Sequence, residues 1–208
     1  MSKVKDYSYA ISLYDKEIYD EAFKVFLGLA ENEDYRSQYM LGNMLYYGLG
    51  AKKDEQKAYV WYERASNNGE AISQHLIGNC YLHGSYGFTK NFTKAFEYIN
   101  KSSLEDYPNA THDLAIMYMQ GIGIEADREY AKKLLEKNCK NKYLDSIKLL
   151  IEYYIKGYFG FLNRLNLVKI YLLSKKVYNL ENSSFSGSHV ARGSPYFTQN
   201  NQQTFIHR

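Results

Sequence analysis

The chain has 208 residues, 45% hydrophobic and 24% charged, enough to bury a core in one domain or two small ones. Lys and Arg number 26 against 23 Asp and Glu, and this +3 balance is too small for charge alone to argue nucleic-acid binding. Only two prolines occur, which permits long helices and excludes a Pro-rich linker architecture.

The charge is unevenly spread. Residues 1–35 carry four Lys/Arg against eight Asp/Glu, and residues 140–180 carry eight against two. Solvated helix faces of differing composition account for this; the sharper reading is a basic end that docks an acidic partner or a lipid headgroup. Cys80 and Cys139 form no CxxC pair and no disulfide framework. They read as buried thiols in a reducing compartment, with a single bridge between them left open. Lys3 and Lys5 imitate the start of a secretory signal, but Asp6, Ser8, Ser12 and Asp15 interrupt the apolar run that such a signal needs. The most apolar stretch, Leu149 to Leu173, is broken by Glu152, Lys156, Arg164 and Lys169. The expectation is a cytoplasmic protein with no integral membrane contact.

In chain order, the first segment reads as a helix pair. Tyr9, Ala10 and Leu13 lie on one helix, Asp15-Lys16-Glu17 makes the turn, and Tyr19, Ala22, Phe26 and Leu29 lie on a second. A longer unit comes next: Leu41-Gly42, Leu45, Gly48, Gly50, Asp54, Lys57-Ala58, Trp61-Tyr62, Ala65 and Gly69. The same pattern returns at Ile77-Gly78, Tyr81, Gly84, Gly87, Asn91, Lys94-Ala95 and Tyr98-Ile99. It returns again at Leu114-Ala115, Tyr118, Gly121, Gly123, Asp127, Tyr130-Ala131 and Leu134-Leu135. A weaker fourth copy has Leu150, Tyr154, Gly157, Gly160, Val168 and Tyr171-Leu172.

Each recurring residue has a physical role. Gly42 inside a helix costs about 1 kcal/mol against Ala, which implies close approach of a neighbouring helix; Gly78 and Ala115 keep that position small. Gly48 and Gly50 end the first helix and form the loop. Asp54, Asn91 and Asp127 stand where the second helix begins and can cap it. Ala58, Trp61, Tyr62 and Ala65 form its buried face, and Asn67-Asn68-Gly69 closes it.

At these residues the chain resembles the Sel-one-like repeat family, a branch of the tetratricopeptide superfamily. The resemblance covers about residues 1–178 and implies an all-α, right-handed α-solenoid of about five antiparallel helix pairs. The expected division is a tetratricopeptide-like pair over 1–34, three repeats over 35–143, and a degenerate fourth repeat acting as a C-terminal cap over 144–180. Residues 181–208 are rich in Ser, Asn, Gln and Gly and read as a disordered tail; Phe185, Tyr196, Phe197 and Phe205 leave room for a short docking segment there.

No catalytic constellation is found. HExxH, GxxxxGK[ST], GxSxG and CxxC are all missing. The resemblance also raises β-lactam chemistry, but the only SxxK runs from Ser2 to Lys5 with no KTG after it. No enzyme, cofactor or metal is expected. His75 and His112 hold the same repeat position, about 10 Å apart by helix spacing, too far for joint ligation.

The resemblance implies instead a groove lined by first helices. Its residues here are Arg36, Tyr39, Asn43, Tyr46 and Tyr47, then His75, Asn79 and His83, then His112, Ile116, Met119 and Gln120. That mixture suits an interface more than a plain solvated surface. For Tyr39 and Tyr47, packing between units explains them equally well. The implied function is a non-enzymatic adaptor that binds a protein or peptide partner and no nucleic acid. A bacterial immunity protein that blocks a toxin enzyme is the alternative.

Overall fold

The computed structural model describes residues 6–160 and 164–185. Among the described residues it holds ten helices: α1 (Tyr7–Asp15), α2 (Tyr19–Glu31), α3 (Tyr35–Tyr47), α4 (Glu55–Asn67), α5 (Ala71–His83), α6 (Phe92–Leu104), α7 (Pro108–Gln120), α8 (Arg128–Lys140), α9 (Leu144–Ile155) and α10 (Arg164–Phe185). Each helix packs mainly on the one before it and the one after it, so the chain is an all-α solenoid of helix pairs.

The helix boundaries follow from capping chemistry. Asp54, Asn91 and Asp127 each accept a backbone N–H from three residues on, at 2.9, 3.0 and 2.9 Å. Gly48, Gly84 and Gly121 close α3, α5 and α7 in the left-handed region, at φ of 74°, 69° and 70°. The small-residue position inside the first helices is where the second helix leans in. A Cβ on Gly42 would lie 2.5 Å from Tyr62 Cε1, and one on Gly78 would lie 2.6 Å from Ile99 Cγ1.

The core is a continuous series of apolar clusters along the stack. Ala58, Tyr62 and Ala65 of α4 are buried, as their spacing predicts. Trp61 is not: it is half-buried, with Arg64 lying 4.6 Å above its ring. Tyr59 takes the buried place instead.

Buried polar residues tie each unit to the next. Gln38 Nε2 donates to the Ala30 carbonyl at 3.1 Å and Gln74 Nε2 to the Ser66 carbonyl at 3.3 Å. The Ser103 and Thr111 hydroxyls pair at 3.0 Å, and Asn138 Nδ2 donates to Ser146 Oγ at 2.9 Å. All four bonds span eight residues, from the end of a second helix to the start of the next first helix. These bonds help to satisfy polar groups that burial removes from water.

The C-terminal end differs from the sequence expectation. The inner face of α10, with Ile170, Leu173, Val177 and Leu180, packs on the core. Its outer face exposes Val168, Tyr171, Leu172 and Tyr178, whereas a capping helix turns a polar face outward. The helix runs on to Phe185, past the boundary expected at residue 180. The remainder of the expected tail, 186–208 with Tyr196, Phe197 and Phe205, lies outside the described residues.

Candidate interaction face

The first helices α3, α5, α7 and α9 share one face, and a polar ladder crosses it. Asn79 Nδ2 lies 3.2 Å from His75 Nε2, one turn away on α5. The same nitrogen lies 2.7 Å from Asp113 Oδ2 on α7. One unit further, His112 Nδ1 meets Ser146 Oγ of α9 at 3.0 Å. A tyrosine covers each histidine edge-on: Tyr107 stands 5.4 Å from His75 and Tyr143 stands 5.9 Å from His112. Burial lowers the His112 pKa below 6.5, against the pull of Asp113 and Asp145.

A separate set of polar bonds on α3 centres on Asn43. Tyr62 donates its hydroxyl to Asn43 Oδ1 at 2.7 Å, and Tyr39 also bonds to Asn43. Burial raises the Tyr39 pKa and pushes Tyr107 up to about 12. These phenols are therefore neutral at physiological pH.

The expected groove residues divide into three groups. His75, Asn79 and His112 belong to the ladder, and Tyr39 and Asn43 bond to each other on α3. Tyr39 also packs between two core clusters, as the packing reading expects. Tyr47, His83 and Gln120, one turn beyond, occupy one repeat position and are exposed in all three units. Ile116 is half-buried beside them. Arg36 stands apart at the start of α3, its guanidinium 4.5 Å over the Tyr7 ring and 3.0 Å from Asp34.

Two expectations are corrected. Met119 is only 8% exposed and belongs to the core, as does Leu82 at the same position one unit earlier. Tyr46 holds that position in the preceding unit and is half-buried against the core. Its ring meets Tyr47 and Tyr59 edge-on at 5.1 and 6.5 Å, and its hydroxyl bonds to Tyr86. That bond, with burial behind it, raises its pKa to about 12. Among the described residues, no group of three His, Cys, Asp or Glu side chains is placed to hold a metal ion.

Comparison with known proteins decides the family. The Sel1 repeat pattern matches residues 36–70, 71–107 and 108–142. The chain belongs to the Sel1 repeat family. Similar proteins include the "ERAD-associated E3 ubiquitin-protein ligase component HRD3B" of Arabidopsis thaliana, 32% identical over 114 residues, 54% of this chain and 18% of that one. Chitin synthase regulatory factor 2 of Schizosaccharomyces pombe is 24% identical over 67% of this chain and 25% of its own. The chain thus spans a quarter or less of the length of these two relatives. Two solved structures share the fold. One is c5321, a protective antigen of uropathogenic Escherichia coli, with a TM-score of 0.68 at 24% identity over 80% of this chain and 35% of that one. The other is a Sel1 repeat protein from Oxalobacter formigenes, with a TM-score of 0.58 at 26% identity over 61% of this chain and 95% of that one.

Across the Sel1 units one substitution shapes the ladder. The residue before each first helix is Asp34, Glu70, Tyr107 and then Tyr143. The two carboxylates cap their helices, at Ser37 N and Ser73 N. The two tyrosines make no cap bond and lay their rings against the histidine of the preceding unit instead. Sequence reasoning missed Asp113, Tyr107, Tyr143 and Ser146. The signal for the tyrosines was available, since both stand at a capping position that a tyrosine does not serve.

Proposed function

We propose that this Sel1 repeat protein is a non-enzymatic adaptor whose first-helix face takes a peptide or protein edge. Sel1 repeats generally serve as protein-interaction scaffolds, and generally without catalysis. The observation that carries the reading is the hydrogen-bonded ladder of Asn79, His75 and Asp113, with the exposed positions of Tyr47 and Gln120 on the flanking units. Pre-ordered polar groups beside aromatic rings lose little entropy on binding. The near-neutral overall charge favours an adaptor over a toxin-blocking inhibitor, whose surface is usually of one sign. Two free buried thiols, Cys80 and Cys139, fit a reducing compartment. No helix among the described residues is long and apolar enough to cross a membrane.

The test compares the whole protein with a triple variant, Tyr47→Ala, Asn79→Ala and Gln120→Ala, as baits in extract of the source cell. Circular dichroism first establishes that both are folded. A partner held by the first and lost by the second supports the reading. Equal retention by both overturns it, and the identity of the partner separates adaptor from inhibitor.

A further inference from the structure

The second Sel1 unit departs from its neighbours in one loop. Five residues lie between Gly48 and its cap Asp54, and five between Gly121 and Asp127. Six lie between Gly84 and Asn91. In the two shorter loops the second glycine, Gly50 or Gly123, presses on the start of an earlier second helix. A Cβ there would run into the carbonyl oxygen of Tyr19 or of Phe92, the first residues of α2 and α6. In the longer loop Gly87 has nothing within 4 Å of the equivalent point. The extra residue leaves Gly87 without that contact.

A cleft of about 480 Å³ opens beside this loop. Its walls are aromatic. Tyr86 stacks on Tyr59 at 3.8 Å and 15°, and Phe88 stands edge-on to Tyr81 at 5.1 Å. Val60 of α4 is exposed beside them. Tyr86 holds a φ of 54°, a left-handed conformation unfavourable for an aromatic residue, so the stack on Tyr59 is maintained against local strain. Charge distinguishes the two ends. Lys90 and Lys94 mark one end, their ammonium groups 4.9 Å over Phe92 and 5.0 Å over Tyr81. The cap beside them is the neutral Asn91, where the other two units have Asp54 and Asp127. Glu63 of α4 is the acidic residue of the lining.

We infer that this cleft is a second binding site, separate from the first-helix face, and that it takes an acidic segment of a partner protein in extended form. An apolar or aromatic side chain of the segment enters between Val60, Tyr86 and Phe88. A neighbouring carboxylate meets Lys90 and Lys94. The missing cap carboxylate leaves that end open to an anion, and the aromatic walls suit the flat side chain beside it. The inference does not rest on the proposed role of the first-helix face.

The test uses the whole protein, labelled with nitrogen-15, and the peptide acetyl-Asp-Glu-Phe-Glu-Asp-amide. The expected result is saturable shifts at the amides of Tyr86, Gly87 and Lys94, with affinity falling as salt is raised. A peptide with Lys at the four acidic positions binds at least tenfold more weakly. The double variant Lys90→Glu and Lys94→Glu, both exposed and so expected to fold, weakens the acidic peptide about tenfold. Deleting Ser85, which restores the shorter loop, abolishes binding while circular dichroism and the shifts of Asn79 and His83 remain native. The inference is overturned by any of three results: no binding at millimolar peptide, equal binding of the basic peptide, or shifts confined to Asn79, His83 and Gln120. The last result would support the first-helix face instead.

Discussion

Tyr62 occupies the space that Gly42 leaves empty, with its ring edge where a Cβ would have to sit, 2.5 Å away. The same tyrosine bonds Asn43, the next residue of α3, so one side chain sets both the packing and a polar contact on that helix. Gly42→Ala is therefore expected to destabilise the fold by about 1–3 kcal/mol, the overpacking cost outweighing the gain in helix propensity. Gly28 is the control: it lies in α2, is exposed, and a Cβ there meets nothing within 4 Å. Gly28→Ala is expected to stabilise by about 1 kcal/mol. Urea melts of the two variants read opposite signs if the contact with Tyr62 is the cause.

A missing donor suggests a second substitution. Asn68, just past α4, donates to Gln38 Oε1 at 3.1 Å. Asn32 and Asn141 stand at the same helix end in α2 and α8, but α6 has Glu105 there. The buried Oε1 of Gln74 finds no partner among the described residues. Glu105→Asn supplies the donor and is expected to add about 1 kcal/mol. The variant Glu105→Ala, tested beside it, is expected to give little of that gain.

The turn between units needs one residue with positive φ. Gly69 provides it at 93°, while Glu33, Asp106 and Lys142 are held there at 64°, 57° and 62°. Lys142→Gly relieves the strain and is expected to stabilise by about 0.5–1 kcal/mol after the entropy cost of glycine, while Gly69→Ala destabilises by about 1 kcal/mol. Thermal melts check both.

Much of this was legible from the repeat alone. Asp54, Asn91 and Asp127 recur at one position, and capping explains that recurrence without coordinates. Gly42 and Gly78 likewise announced a close helix contact. Tyr46 and Met119 were misplaced because the choice between groove and core depends on the angle between helices. The repeat did carry a clue, since Leu82 holds that position in the second unit. The contact between His75 and Asp113 was not legible, because it joins residues 38 apart through the reach of their side chains.

Acid should weaken the fold through His112. Burial holds its folded pKa below the ordinary 6.5, despite Asp113 and Asp145 nearby and with His75 adding to the shift. Between those two values the unfolded chain binds more protons than the folded one. This contribution is complete above pH 6.5 and is lost as the pH drops toward the folded value. His112→Gln, which can still bond Ser146, is expected to flatten that part of the stability profile between pH 7.5 and 5. An unchanged profile would assign the acid sensitivity elsewhere.

Packing mainly between consecutive helices has a mechanical consequence. Stiffness in such a row is set by interfaces in series, so a small rotation at each adds up along the length. The polar bonds from Gln38, Gln74, Thr111 and Ser146 resist rotation at successive junctions and act as separate springs. Severing one should soften the row at that junction and leave the others as stiff as before, so the spread between distant first helices can change while every unit keeps its own shape.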